Sequence, residues 1–115
     1  MTMTNDEINA KIARLHGWHH LPPPAMPAWQ RPTDQGTEYL YWIDDFSGDL
    51  RQARKLIYEI VSVAGFSVTI EINGSSFLSS CKIYEDGALA VEFARDTAEE
   101  AICLAYIAWK ERQAE

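Results

Sequence analysis

Five aromatic side chains in the first half of the chain, Trp18, Trp29, Tyr39, Tyr41 and Trp42, are the residues best suited to hold another molecule. Flat π faces with a few basic neighbours stack on bases and nucleotides. Trp18, Trp29, Tyr41 and Trp42, joined by Arg51, form the expected ligand-binding set. Packing in a core or an interface is the simpler account of such residues, and it is the one their composition favours.

Other groupings are weaker. His16, His19 and His20 with Asp34, Asp44 or Asp45 could ligate a metal. Their spacing follows no established zinc pattern, and Cys81 and Cys103 lie in distant elements. Asp44, Asp45 and Asp49 could do acid–base work if burial or mutual repulsion separated their pKa values. Acids at a helix start explain them more simply, and DDFSGD lacks the calcium-loop spacing. Ser75, Ser76, Ser79 or Ser80 with a histidine would suggest a hydrolase, yet there is no G-x-S-x-G. A P-loop and a dinucleotide fingerprint are also missing. The sequence thus predicts no catalytic residues, no metal site and no cofactor.

The elements that must position these groups are organised around residues 47 to 72. Leu50, Ala53, Ile57, Ile60, Val61 and Ala64 recur at helical spacing and make one apolar stripe. Ser47 is the expected N-cap, Asp49 suits the positive helix end, and Gly65 is the expected stop. Phe66, Val68, Ile70 and Ile72 then alternate with polar residues, as in a strand with one covered face. Upstream, Thr4-x-x-Glu7 is a capping box opening a short helix with Ile8, Ile12 and Leu15 on one side.

Five prolines between Pro22 and Pro32 exclude regular helix from most of residues 18 to 38, which read as a long loop with Trp18 tucked in. Residues 38 to 43, EYLYWI, read as a strand covered on both faces, and Asn73-Gly74-Ser75-Ser76 as a turn. Phe77 to Tyr84 and Ala88 to Ala94 read as strands joined at Glu85-Asp86-Gly87. Leu89, Val91 and Phe93 would share one face and the alanines the other, with helices close on the alanine side. The 38–43 strand is placed beside Ala88 to Ala94. Asp96 and Thr97 both offer caps for a last helix to Gln113. Its apolar arc is wide enough to call for deep burial or another subunit.

At 115 residues the chain reads as one domain. It divides into an N-terminal helix at 1 to 17, a proline- and tryptophan-rich loop at 18 to 38, and a body at 39 to 113. A chain of this size buries roughly 65% of its unfolded surface, enough for a core without staples. Cys81 and Cys103 are expected to be reduced and buried. The net charge of −7 repels long nucleic acids. No apolar run reaches the ~18 residues of a membrane span, and the N-terminus is no signal peptide, so the expected location is cytoplasmic.

Three segments resemble small proteins of the phage ABA sandwich domain family. INAKIARLHGW at 8 to 18 is like that family's opening helix ending in Gly-Trp. DDFSGDLRQARKLIYEI at 44 to 60 is like its Ser-x-Asp helix start. DTAEEAICLAYIAW at 96 to 109 is like its terminal helix and is the most specific of the three. The proline-rich stretch at 21 to 32 departs from the pattern. The resemblance implies a phage- or prophage-encoded three-layer helix–sheet–helix domain, and it carries over no catalytic residue.

The combined expectation is an α+β three-layer sandwich with a mostly antiparallel sheet of about four strands. Functionally it is a phage accessory protein that binds a host protein or a small nucleotide-like ligand, as a homo-oligomer. The rivals are a small metal-assisted hydrolase and a module of the virion or its assembly.

Overall fold

The computed structural model describes residues 3–24, 26–72 and 77–114. The predicted turn at 73 to 76, with Ser75 and Ser76, lies outside them. The described residues form three helices and two three-stranded antiparallel sheets, an α+β arrangement.

Helix α1 (Asn5–Leu15) opens on the predicted capping box. Thr4 Oγ1 accepts from Glu7 N and Glu7 Oε1 accepts from Thr4 N, both at 3.2 Å. Strands β1 (His19–His20), β2 (Trp29–Thr33) and β3 (Gly36–Leu40) follow, in the order β1-β2-β3. Helix α2 (Leu50–Val61) leads to β4 (Phe66–Glu71), β5 (Ser79–Glu85) and β6 (Ala88–Arg95), in the order β4-β5-β6. Helix α3 (Ala98–Gln113) is capped by Thr97, whose hydroxyl accepts from Glu100 N.

The main core lies on one face of the β4-β5-β6 sheet. Val68, Ile83 and Val91 stand in register across the three strands, as do Ile70, Cys81 and Phe93. Helix α3 crosses β5 and β6, α2 lies over β4, and α1 packs on α3 without touching this sheet. Covered on several sides, α3 buries Ala101, Ile102, Cys103, Ala105, Tyr106, Ile107 and Trp109. Its wide apolar arc is therefore filled from within the chain.

The expected three-layer sandwich on one sheet of about four strands is not what forms. The opposite face of the sheet presents Ser67, Thr69, Ser80, Lys82 and Glu92, and Lys82 and Glu92 pair at 3.7 Å. A polar face of an antiparallel sheet needs no second layer of helices. The expected sorting of large and small residues along β6 also fails. A register shift at Ile83/Tyr84 places Leu89 opposite Tyr84, and Leu89 is exposed while Val91 is buried against the helices. One bulge residue is enough to reverse which side the following residues face.

The 38–43 strand is also redirected. It ends at Leu40 and pairs with β2, not with β6. Its hairpin partner is only a Thr33–Gly36 turn away, so closing that pair loses far less chain entropy than pairing with β6. Residues 18 to 38 consequently hold β1, β2 and most of β3 where a loop was expected. Pro32 is tolerated in β2 because β1 pairs only with Trp29 and Gln30, so no strand lies beyond it on that side.

Candidate functional site

Helix α2 starts later than predicted, and the reason builds the site. Asp49, not Ser47, is the N-cap, with Oδ1 accepting from Arg51 N at 2.9 Å. Ser47 is buried, and its N–H donates to Asn9 Oδ1 at 2.9 Å. Asn9 Nδ2 donates to Asp45 Oδ1 at 3.0 Å, and Gly48 N donates to the same oxygen at 3.0 Å. A Cβ on residue 48 would stand 2.5 Å from Asp45 Oδ2, so any larger residue there would displace the Asp45 carboxylate. One amide on α1 thus clamps the 45–48 turn to the helix. The predicted acidic trio divides into a clamp residue, Asp45, and a cap, Asp49.

Beside this clamp lies a cleft of about 540 Å3. Its floor is the side of α1 carrying Asn5, Asp6, Asn9 and Ala10. Trp29 from β2 forms one wall, and Tyr41, Trp42, Ile43 and Asp45 form the other. Trp29 is buried, with the His20 ring edge-on at 4.8 Å and the Arg14 guanidinium 5.7 Å over its face. Tyr41 and Trp42 are 59% and 80% exposed. The chain exposes other large apolar side chains, Tyr58 and Phe77 among them, but Tyr41 and Trp42 are adjacent and form a patch at the cleft. A second hollow, of about 640 Å3, runs along α1 and is lined by Met3, Ala10 and Leu15 with the charged Asp6, Glu7, Lys11 and Arg14. Every lining residue comes from α1 or the residues just before it, and among the described residues no aromatic ring lines it.

Three of the five expected ligand-binding residues, Trp29, Tyr41 and Trp42, come together in the cleft. Trp18 and Arg51 are not among its lining. Trp18 is half-buried with the Arg31 guanidinium 5.1 Å over its ring, and Arg51 is exposed in the first turn of α2. Tyr39 is exposed on β3. Asn5, Asp6 and Asn9 were missed because a polar flank of an amphipathic helix reads as solvated surface.

The histidines separate. His19 and His20 are adjacent in β1 and exposed, while His16 caps α1 between the rings of Phe46 and Tyr106. Among the described residues no three His, Cys, Asp or Glu side chains gather as metal ligands. His16 Nε2 stands 3.3 Å from Glu59 Oε1 but makes no hydrogen bond there. Glu59 is instead the acceptor for the buried Tyr106 hydroxyl and, at 3.4 Å, for Lys110 Nζ. Burial, then the bond to Glu59 and its charge, hold the Tyr106 phenol well above its usual range. This network ties α2 to α3 and was invisible in the sequence, since its members lie 47 and 51 positions apart.

Both cysteines are free and buried, as expected. Burial pushes the Cys81 thiol up to about 12, and burial with nearby carboxylates raises Cys103 as well. Neither is a nucleophile at neutral pH.

No protein-family model and no curated protein matches the sequence. Among solved structures, the crystal structure of a phage protein from Bacillus cereus ATCC 14579 is similar, with a TM-score of 0.66. The two sequences are 17% identical, and the match covers 94% of this chain and 88% of that one. At that identity the likeness is one of fold.

Proposed function

We propose that this chain is a small phage- or prophage-encoded accessory protein that acts by binding, with the Trp29–Tyr41–Trp42 cleft as its binding surface. The observation that carries the reading is the convergence of three aromatic residues from two separate segments on one cleft, with two of them left in water. The likeness in fold to a Bacillus phage protein supports the phage setting. The partner is a host protein or a small nucleotide-like ligand met in the host cytoplasm. No helix among the described residues is long and apolar enough to cross a membrane.

Because α3 is covered by its own sheet and helices, a homo-oligomer would be built on a surface other than α3. Light scattering on the purified protein tests for it. The binding reading itself is tested by calorimetry and thermal shift against nucleotides, amino acids and short peptides, on the wild type and on Trp42→Ala and Tyr41→Ala. Ligands bound by the wild type should bind the two variants at least ~10-fold more weakly, a difference of about 1.4 kcal/mol. Ligands bound equally well by all three proteins would place the binding surface elsewhere and refute the reading.

A further inference from the structure

The charged side chains lining the cleft are both acidic, and the cation against its wall, Arg14, is taken up by the Trp29 ring. Asp6 and Asp45 bring carboxylates, Asn5 and Asn9 bring amides, and among the described residues no lysine, arginine or histidine lines it. The exposed rings of Tyr41 and Trp42 act in the same direction, because a π face presents negative charge, whereas the face of the buried Trp29 already carries Arg14. Tyr41 and Trp42 meet at 46° with centroids 6.1 Å apart, so their faces splay instead of stacking on each other. Carboxylates and open π faces together attract a cation and repel phosphate. The chain itself twice sets an arginine over a tryptophan, Arg14 on Trp29 and Arg31 on Trp18. Asp45 has Oδ1 engaged by Asn9 and Gly48, yet the residue remains exposed and can meet a donor from outside.

From this complementarity we infer that the cleft takes an arginine side chain presented by a partner protein. A guanidinium lies flat on an aromatic ring while its N–H edge reaches a carboxylate, which a compact ammonium cannot do at once. The cleft volume of about 540 Å3 is in the range of sites that enclose small ligands, and leaves room for residues flanking the arginine. The inference rests on the cleft being the binding surface, as proposed above, and narrows its partner to a protein with an exposed arginine.

The test is an NMR titration of the 15N-labelled protein, following the indole N–H signals of Trp29 and Trp42. The probes are an acetylated, amidated glycine–arginine–glycine peptide, the same peptide with citrulline for arginine, and adenosine monophosphate. The arginine peptide should shift both indoles saturably, and the citrulline peptide should bind at least ~10-fold more weakly because it keeps the shape and loses the charge. Asp6→Asn should weaken the arginine peptide by about 3-fold or more, and raising salt should weaken it further. Asp6 is exposed, so that variant retains the fold; thermal melts verify it.

Equal binding of the citrulline peptide, or tighter binding of the nucleotide at the same indoles, would overturn the arginine assignment while leaving the cleft as a binding surface. No indole shift by the arginine peptide would overturn it too. If, in addition, Trp42→Ala changed the affinity for no ligand, the binding reading would fall with it. Indole shifts that follow protein concentration without peptide, and vanish in Arg51→Ala/Arg54→Ala, would identify a second copy as the arginine donor and overturn the separate partner.

Discussion

Asn9→Ala should be the most damaging single change at the cleft, and its size follows from the clamp. The Ser47 amide is buried, with Ser47 only 3% exposed, and its acceptor is Asn9 Oδ1. Deleting that acceptor leaves a buried donor unmade, which costs about 1–3 kcal/mol. The second bond, to Asp45, ends on an exposed carboxylate that water can satisfy, so it adds little. The expected loss is therefore about 1–3 kcal/mol. At roughly 2.1 cal/mol/K per residue over 115 residues, that lowers Tm by about 4–12 °C.

Urea unfolding followed by circular dichroism measures the loss, and the Trp42 indole signal reports whether the cleft loosens. Asp45→Ala serves as the comparison. It removes the acceptor for Gly48 N, an exposed amide, and should lose only about 1 kcal/mol. A loss under ~0.5 kcal/mol for Asn9→Ala, or a larger loss for Asp45→Ala, would refute the clamp as the element holding the 45–48 turn.

Trp42→Ala should leave stability within about 0.5 kcal/mol in the same urea titration, because the side chain is 80% exposed. Gly48→Ala should destabilise by about 1 kcal/mol, since its Cβ would push the exposed Asp45 carboxylate out of its bonds to Asn9 and Gly48, and thermal melts measure this. Tyr106→Phe should cost about 1–2 kcal/mol by removing a buried donor to Glu59, again read by urea unfolding. In alkali the native state keeps its Cys81 and Cys103 protons while the unfolded chain releases them from about pH 8.5, so stability falls as pH rises toward 12. The slope is on the order of 1.4 kcal/mol per pH unit for each thiol. Tyr106 adds the same sign above about pH 10. Urea midpoints at pH 8, 9 and 10 check this, and Cys81→Ala should flatten the trend.

Local signals carried the parts of the fold that local chemistry decides. The Thr4–Glu7 box, the Thr97 cap and the Asp86-Gly87 turn, with φ of 51° and 86°, each lie within four residues. The period-two pattern of β4 survives intact. What sequence reasoning lost was decided by distant partners. Ser47 looked like a cap, but an amide 38 positions away uses its backbone and leaves capping to Asp49. Leu56, off the predicted stripe, is buried because α3 lies beside α2. Aromatic residues at 39, 41 and 42 suggested a covered strand, yet Tyr39 stands on an exposed side of β3 and the chain bends after Leu40, leaving Tyr41 and Trp42 in solvent. The aromatic cleft residues were recognisable by type; its polar floor required knowing which side of α1 meets the 41–45 segment.

The β1-β2-β3 sheet shares no strand pairing with the larger sheet, and none of its residues joins the main hydrophobic cluster. Trp29 is its single deeply seated side chain. Sequence drift along this flap can therefore proceed with little penalty to the foundation beneath it, so long as that one anchor is kept. Related chains could exchange the flap's outward residues and acquire new recognition habits on an unaltered body.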